Sequence, residues 1–261
     1  MDTSFTDKTV VVTGASKGIG LAVAAAFAAE GAHVVAGART VTAELAALSG
    51  VTAVPVDLST SDGPAALVAT AVETYGGVDV LVNNVGASEP AASVIDFTDE
   101  QWHRIFDITL YSAVRATRAA IPAMKGRDNA SIVTVSSLNA KLPAAFVAPY
   151  SAAKAALTNY SKVVSESYAA DGIRANVVSP GLVRTPMWTA PGGFGEIVGG
   201  PSGATPDEVL DTILPEAMSV ATGRVSEPAE VADLVLFLAS GRARNITGAD
   251  FVIDGGTLKS I

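Results

Sequence analysis

Short valine-rich runs alternate with longer alanine-rich stretches along the whole chain, and this restricts the fold more than any other feature. Val10-Val11-Val12, Val34-Val35, Ala53-Val54-Pro55-Val56, Val80-Leu81-Val82, Ile132-Val133-Thr134-Val135 and Ala175-Asn176-Val177-Val178 are such runs, and a last one lies near 250–253. Continuous runs of this kind are strands buried on both faces. Amphipathic stretches at about 18–29, 63–75, 99–124, 149–169 and 229–238 lie between them. Strands alternating with helices make βαβ units with right-handed crossovers. We therefore expect an α/β fold: a single-domain, Rossmann-like, doubly wound parallel sheet over residues 1–261, flanked by helices on both faces. The one composition shift is 189–206, rich in Gly and Pro. With its flanks, about 186–222, it reads as a substrate loop or lid.

Composition removes several classes of function. The chain has no cysteine and 2 histidines, so disulfides, thiolate chemistry and a three-histidine zinc site are excluded, and no metal is expected. A net charge of −9 argues against nucleic acid and anionic membrane as partners. The apolar run Val23–Ala29 is far shorter than the roughly 20 residues of a membrane span. The first eight residues, MDTSFTDK, carry acids where a secretory signal has bases and an apolar core, so the expectation is a soluble cytoplasmic protein.

Thr13-Gly14-Ala15-Ser16-Lys17-Gly18-Ile19-Gly20 follows the first strand and opens the first helix. Glycines there allow a tight turn, and the helix N-terminus offers N–H groups and a positive dipole end to a pyrophosphate. A glycine cluster alone marks only a turn; between strand one and helix one it marks a dinucleotide site. Strand two ends Ala38-Arg39, with no acid for a ribose 2′-hydroxyl. Arg39 and Lys17 instead suit a 2′-phosphate, so the expected cofactor is NADP(H).

Tyr150 and Lys154 stand at i and i+4, on one helical face. A free phenol titrates near about 10, and a neighbouring ammonium lowers that value, so the pair reads as a tunable proton donor. Ser137 ends a strand thirteen residues earlier. Its hydroxyl could hold a substrate oxygen while Tyr150 protonates it. Each of the three residues is ordinary alone; their spacing behind a dinucleotide loop is what gives specificity.

With these residues in place, the chain resembles the short-chain dehydrogenase/reductase family over essentially its whole length. Thr13–Gly20 is similar to the family's T-G-x-x-x-G-x-G loop, and Asn83-Asn84-Val85-Gly86 to its N-N-A-G segment with Val for Ala. Ser137 with Tyr150-x-x-x-Lys154 resembles its active-site motif, Pro180-Gly181-Leu182-Val183-Arg184-Thr185 its P-G segment, and Asp254-Gly255-Gly256 its C-terminal signature. The resemblance implies that Asp57 and Leu58 flank the adenine and that Asn84, Val85 and Gly86 line the adenosine ribose side, while Asn83 stabilises the sheet. It implies that Lys154 holds the nicotinamide ribose and that Val183 and Thr185 contact the carboxamide. Hydride then passes between the nicotinamide and a carbonyl carbon, with Tyr150 as general acid/base. The family also implies a homotetramer, or a dimer, built on the two long helices, where Ala152, Ala153, Ala155 and Ala156 permit close approach.

One position departs from the family. Phe106-Asp107-Ile108-Thr109-Leu110 places Thr109 where the family usually has an Asn that supports a proton relay. We expect Thr109 to sustain turnover. Leu138, Asn139 and Phe146 lie between Ser137 and Tyr150 and read as substrate-pocket walls; Met187 and Trp188 read as lid residues or as loop anchors. His33 and His103 read as structural or exposed. An apolar pocket favours an apolar carbonyl substrate, with a 3-oxoacyl thioester as one candidate. A sugar or polyol dehydrogenase is the enzymatic alternative, and a dinucleotide-binding sensor with lost chemistry the non-enzymatic one.

Overall fold

The computed structural model describes residues 5–259. Seven strands form one sheet: β1 (Thr9–Thr13), β2 (His33–Ala38), β3 (Val51–Pro55), β4 (Val80–Asn83), β5 (Ser131–Val135), β6 (Arg174–Pro180) and β7 (Asp250–Ile253). All neighbours are parallel, in the order β3-β2-β1-β4-β5-β6-β7. The helices are α1 (Gly18–Ala29), α2 (Ala43–Ala46), α3 (Gly63–Tyr75), α4 (Asp99–Phe106), α5 (Ser112–Met124), α6 (Ala148–Tyr168), α7 (Pro186–Thr189), α8 (Phe194–Gly199), α9 (Pro206–Glu208), α10 (Leu214–Ala217) and α11 (Pro228–Ala239).

Side chains on a strand alternate between faces, so each valine run supplies two cores. Val10, Val12, Val34, Ala36, Val80, Val82, Val133 and Val135 pack on Val23 and Phe27 of α1 and Val231, Val235 and Leu238 of α11. Val11, Val35, Leu81 and Ile132 point the other way, onto Leu67 and Ala71 of α3, Ala116, Ala120 and Met124 of α5 and Val164 of α6. This makes the three-layer, doubly wound architecture expected from the sequence. The strand order reverses between β1 and β4, and ligands of open α/β sheets bind outside the strand carboxyl ends at such a crevice.

Two regions differ from the sequence expectation. The stretch 99–124 is not one helix: Asp107–Tyr111 is a π turn between α4 and α5. The Gly/Pro-rich segment is not irregular either. It folds into short helical pieces, α7 to α10, with a second π turn at Val209–Ile213. The start of α9 is a capping box in which Thr205 accepts from the Glu208 amide and the Glu208 carboxylate accepts from the Thr205 amide. Arg174 is buried and spends its guanidinium on main-chain carbonyls of Leu238, Ala239, Ser240 and Ile246, capping the C-terminus of α11. Among the described residues, no helix is long and apolar enough to cross a membrane.

Candidate active site

The carboxyl ends of β1, β2, β4, β5 and β6 open onto one cleft of about 470 Å³. At one end it is lined by Ser16, Lys17, Gly18, Ile19, Arg39, Thr40 and Leu58; at the other by Ser137, Tyr150, Lys154, Thr185, Met187 and Trp188. Gly14, Gly20, Asn84, Val85, Gly86, Pro180, Gly181 and Val183 line the stretch between.

The glycine loop is tight for reasons visible atom by atom. A Cβ on Gly20 would lie 2.2 Å from the Gly14 carbonyl oxygen, and Gly18 adopts φ +57° with its Cα facing the Thr185 side chain. Thr13 organises the loop from below: its hydroxyl donates to the Val82 carbonyl and accepts from the Asn84 and Val85 amides. The Asn84 side chain donates to the carbonyls of Thr13 and Gly14, so it braces the loop. Asn83 donates to Thr117 Oγ1 and ties β4 to α5, the structural part expected of it. Helix α1 starts at Lys17 with no side-chain cap and no acid in its first turn. Its first N–H groups therefore face the cleft without a side-chain acceptor, which fits a pyrophosphate.

At the adenine end, Lys17 and Arg39 are exposed and no carboxylate lies within ion-pair distance of either among the described residues. Leu58 lines the cleft, whereas Asp57 stands beside it. The Asp57 carboxylate accepts from the hydroxyl and amide of Ser59, which, with a smaller contribution from the Arg39 charge, hold it below the usual carboxylate range. Thr40 and Thr42 line the same end, and Thr42 donates to the Ser16 carbonyl. Sequence reasoning missed both threonines, although Thr42 carries an N-cap signal for α2.

At the other end, Tyr150 and Lys154 rise from the first turns of α6. The Tyr150 phenol hydrogen-bonds Ser137, whose Oγ also accepts from the Asn139 amide. Lys154 Nζ lies 5.7 Å from the Tyr150 ring centre and donates to the Val135 carbonyl at 2.7 Å. Burial pushes the Lys154 ammonium down to about 7 and pushes the Tyr150 phenol up, the Ser137 hydrogen bond only partly opposing the latter. This corrects the expectation of a phenol made acidic by its neighbour. In the protein alone desolvation dominates at Tyr150, with no lowering from Lys154, whose own charge is weakened by burial.

Thr109 sits fully buried at the middle of the Asp107–Tyr111 π turn, its hydroxyl 3.4 Å from both the amide and the carbonyl of Ala87. A Cβ on Gly86 would touch both Lys154 Nζ, at 3.4 Å, and Thr109 Oγ1, at 3.7 Å. Thr109 thus reaches the lysine's surroundings without lining the cleft. Met187 and Trp188 do line it; Leu138, Asn139 and Phe146 do not. Leu138 is buried, Asn139 Nδ2 faces Ser151 Oγ, and Phe146 is half-exposed at the edge. His33 stacks on Tyr75 and His103 is exposed, far from any chemistry.

Residues 14–257 match the family profile described as enoyl-(acyl carrier protein) reductase. Dehydrogenase/reductase SDR family member 4 of Homo sapiens is 33% identical over 262 residues, 96% of this chain and 87% of the human protein. The chain belongs to the short-chain dehydrogenase/reductase family. A second relative of this family, named for ketoacyl reduction in the monensin polyketide synthase of Streptomyces virginiae, is 38% identical over 97% of this chain and 98% of its own. The crystal structure of L-sorbose reductase from Gluconobacter frateurii, complexed with NADPH and L-sorbose, superposes with TM-score 0.91 at 33% identity, covering 100% of both chains. As a short-chain dehydrogenase/reductase, the protein is an oxidoreductase acting between CH–OH and C=O groups of small molecules, with a nicotinamide dinucleotide as cofactor.

Proposed function

We propose that the protein reduces an apolar ketone with NADPH, a 3-oxoacyl thioester being one candidate. The observation that carries this reading is the arrangement at the two ends of one cleft: unpaired Arg39 and Lys17 at the adenine end, and Ser137, Tyr150 and Lys154 beside Met187 and Trp188 at the other. The bound cofactor supplies the hydride. Arg39 and Lys17 hold its 2′-phosphate, the N-terminus of α1 with Gly14, Ser16, Gly18, Ile19 and Gly20 its pyrophosphate, and Asp57 and Leu58 flank its adenine. Asn84, Val85 and Gly86 border the ribose. Lys154 holds the nicotinamide ribose, and Pro180, Gly181, Val183 and Thr185 fix the carboxamide side.

Tyr150 donates the Oη proton to the substrate oxygen as its carbon accepts the hydride, and Ser137 donates a hydrogen bond to the same oxygen. A phenol raised by burial stays protonated at neutral pH, which suits reduction. Thr109 and the Ala87 main chain, next to Lys154, restore that proton from solvent. Phe146 backs Trp188 through Phe194, and Leu138 and Asn139 support Ser137 from outside the lining. We place the protein in the cytoplasm as a homotetramer, a reading supported by its family likeness and by Ala155, exposed on α6.

A sugar or polyol reductase is the second reading, favoured by the likeness to L-sorbose reductase. A panel of apolar ketones, acyl thioesters and ketoses, followed by loss of NADPH absorbance, separates the two. Tyr150→Phe tests the chemistry: turnover falls on the order of 10²–10⁴-fold while NADPH binding by fluorescence is retained. Unchanged turnover in that variant would rule out the proposed general acid, and NADPH binding with no turnover of any ketone by wild type would leave the sensor reading.

A further inference from the structure

Phe194 is the middle member of three aromatic rings that join the frame of the cleft to its apolar wall. Its ring lies 5.6 Å from that of Trp188 and 6.2 Å, edge-on, from that of Phe146. Trp188 lines the cleft, but Phe194 is buried behind it, 8% exposed. Phe146 stands four residues before Tyr150, and its carbonyl accepts from the Ala91 amide on the facing loop, so it belongs to the fixed rim.

The piece that carries Phe194 and Trp188 is packed as one body. A Cβ on Gly193 would meet the Met187 carbonyl at 2.8 Å, and one on Gly195 the Trp188 carbonyl at 2.6 Å. The backbones of α7 and α8 are therefore in direct contact, which holds the Cα positions of Trp188 and Phe194 close and their rings 5.6 Å apart. The base of this body is tied beside the cofactor segment by Arg184, which pairs with Asp207, Asp211 and Glu227. Its far side meets the rim through Phe146 and Phe194. Charge-assisted hydrogen bonds thus hold one side, and a single aromatic contact the other.

We propose that Phe194 is a positioning residue that sets Trp188 against the substrate, and that the Phe146–Phe194–Trp188 line selects ketones bearing a ring or long apolar chain over polyhydroxylated ones. This rests on the reductase reading above. The cleft wall built on this line offers apolar surface and, from Met187, Trp188 and Phe194, a single strong side-chain hydrogen-bonding group, the Trp188 indole N–H. That is too few to pair several substrate hydroxyls, and unpaired hydroxyls are costly to desolvate.

The test is steady-state reduction by NADPH of 2-decalone, a bicyclic apolar ketone, and of hydroxyacetone, in wild type, Phe194→Ala, Phe194→Tyr and Phe146→Ala. Phe194→Ala raises KM for 2-decalone by about tenfold or more and moves KM for hydroxyacetone by less than about twofold. Phe194→Tyr recovers most of the loss, and NADPH affinity is unchanged throughout. With Trp102→Phe as background, the emission of Trp188 shifts to the red in Phe194→Ala. Half-exposed Phe146 tolerates truncation, so Phe146→Ala gives the same selective loss even where Phe194→Ala fails to fold. Equal effects on both ketones, or none, overturn the proposal while leaving the reductase reading intact. A wild type that prefers hydroxyacetone overturns the substrate class, and one that reduces neither ketone with NADPH overturns the reductase reading and this proposal with it.

Discussion

Tyr150 and Lys154 are shifted in opposite directions by one cause. Reduction needs the phenol protonated, and Tyr150 is held above the ordinary value of about 10. Reduction rates should therefore stay level through the alkaline range in which alcohol oxidation, which needs the phenolate, keeps climbing. Initial rates in both directions against pH check this, and an oxidation plateau near neutrality would contradict it. The buried lysine has a consequence for stability. An unfolded Lys is charged up to about 10.4, whereas folded Lys154 is charged only below about 7. Between those values the unfolded chain binds more protons, so stability rises with pH, and the full penalty applies below 7. Lys154→Met should melt higher than wild type at pH 6, with the gap closing towards pH 10, by calorimetry of the protein without cofactor. Arg39 governs the other end of the cleft: Arg39→Ala should weaken NADPH by about 10- to 100-fold and leave NADH nearly unchanged in titration calorimetry. The Tyr–Lys spacing and the missing acid after strand two were legible because each is carried by adjacent positions. The sense of the Tyr150 shift was not, because burial depends on β5, α6 and the loops above them meeting in space.

At the level of elements, apolar runs announced the strands because β1, β2, β4 and β5 are buried on nearly every residue and admit little that is polar. The edge strands β3 and β7 are only partly buried, and β6 admits Arg174 and Asn176 because both are hydrogen-bonded. Boundaries of α1 and α3 could be read to the residue from their glycines and the proline near the start of α3. The π turn could not. Phe106 to Leu110 has ordinary helical composition, and the extra backbone position answers to packing on Ala87 and α6. The short helices after β6 were hidden by glycine content, although the Thr205–Glu208 capping box was there to be seen. A single methyl group tests the turn between β1 and α1: Gly20→Ala forces a carbon to within 2.2 Å of the Gly14 carbonyl. The loop must shift, at about 1–3 kcal/mol, and thermal melting should show that loss together with weakened dinucleotide binding.

For the molecule as a whole, one feature of α6 bears on assembly. Of the four alanines expected at a subunit contact, Ala153 is fully buried in its own core, while Ala155 is exposed and Val163, two turns on, is 53% exposed. The outward face of α6 is mixed, with Ala155 and Val163 standing among exposed Asn159, Lys162 and Glu166, so the proposed tetramer would bury polar as well as apolar side chains there. Light scattering should give four times the 26.3 kDa chain mass, and Val163→Glu should lower it. The break between α4 and α5 adds a further point. In a regular helix each residue turns the face by about 100°, so one additional position re-phases everything downstream. Thr109 faces the surroundings of Lys154, while Ala116, Ala120 and Met124 face the sheet, all in one nearly continuous rod. Removing that single position would straighten the rod and rotate its second half, so the placement of Thr109 near Lys154 and the seating of α5 on the sheet are set by the same irregular turn.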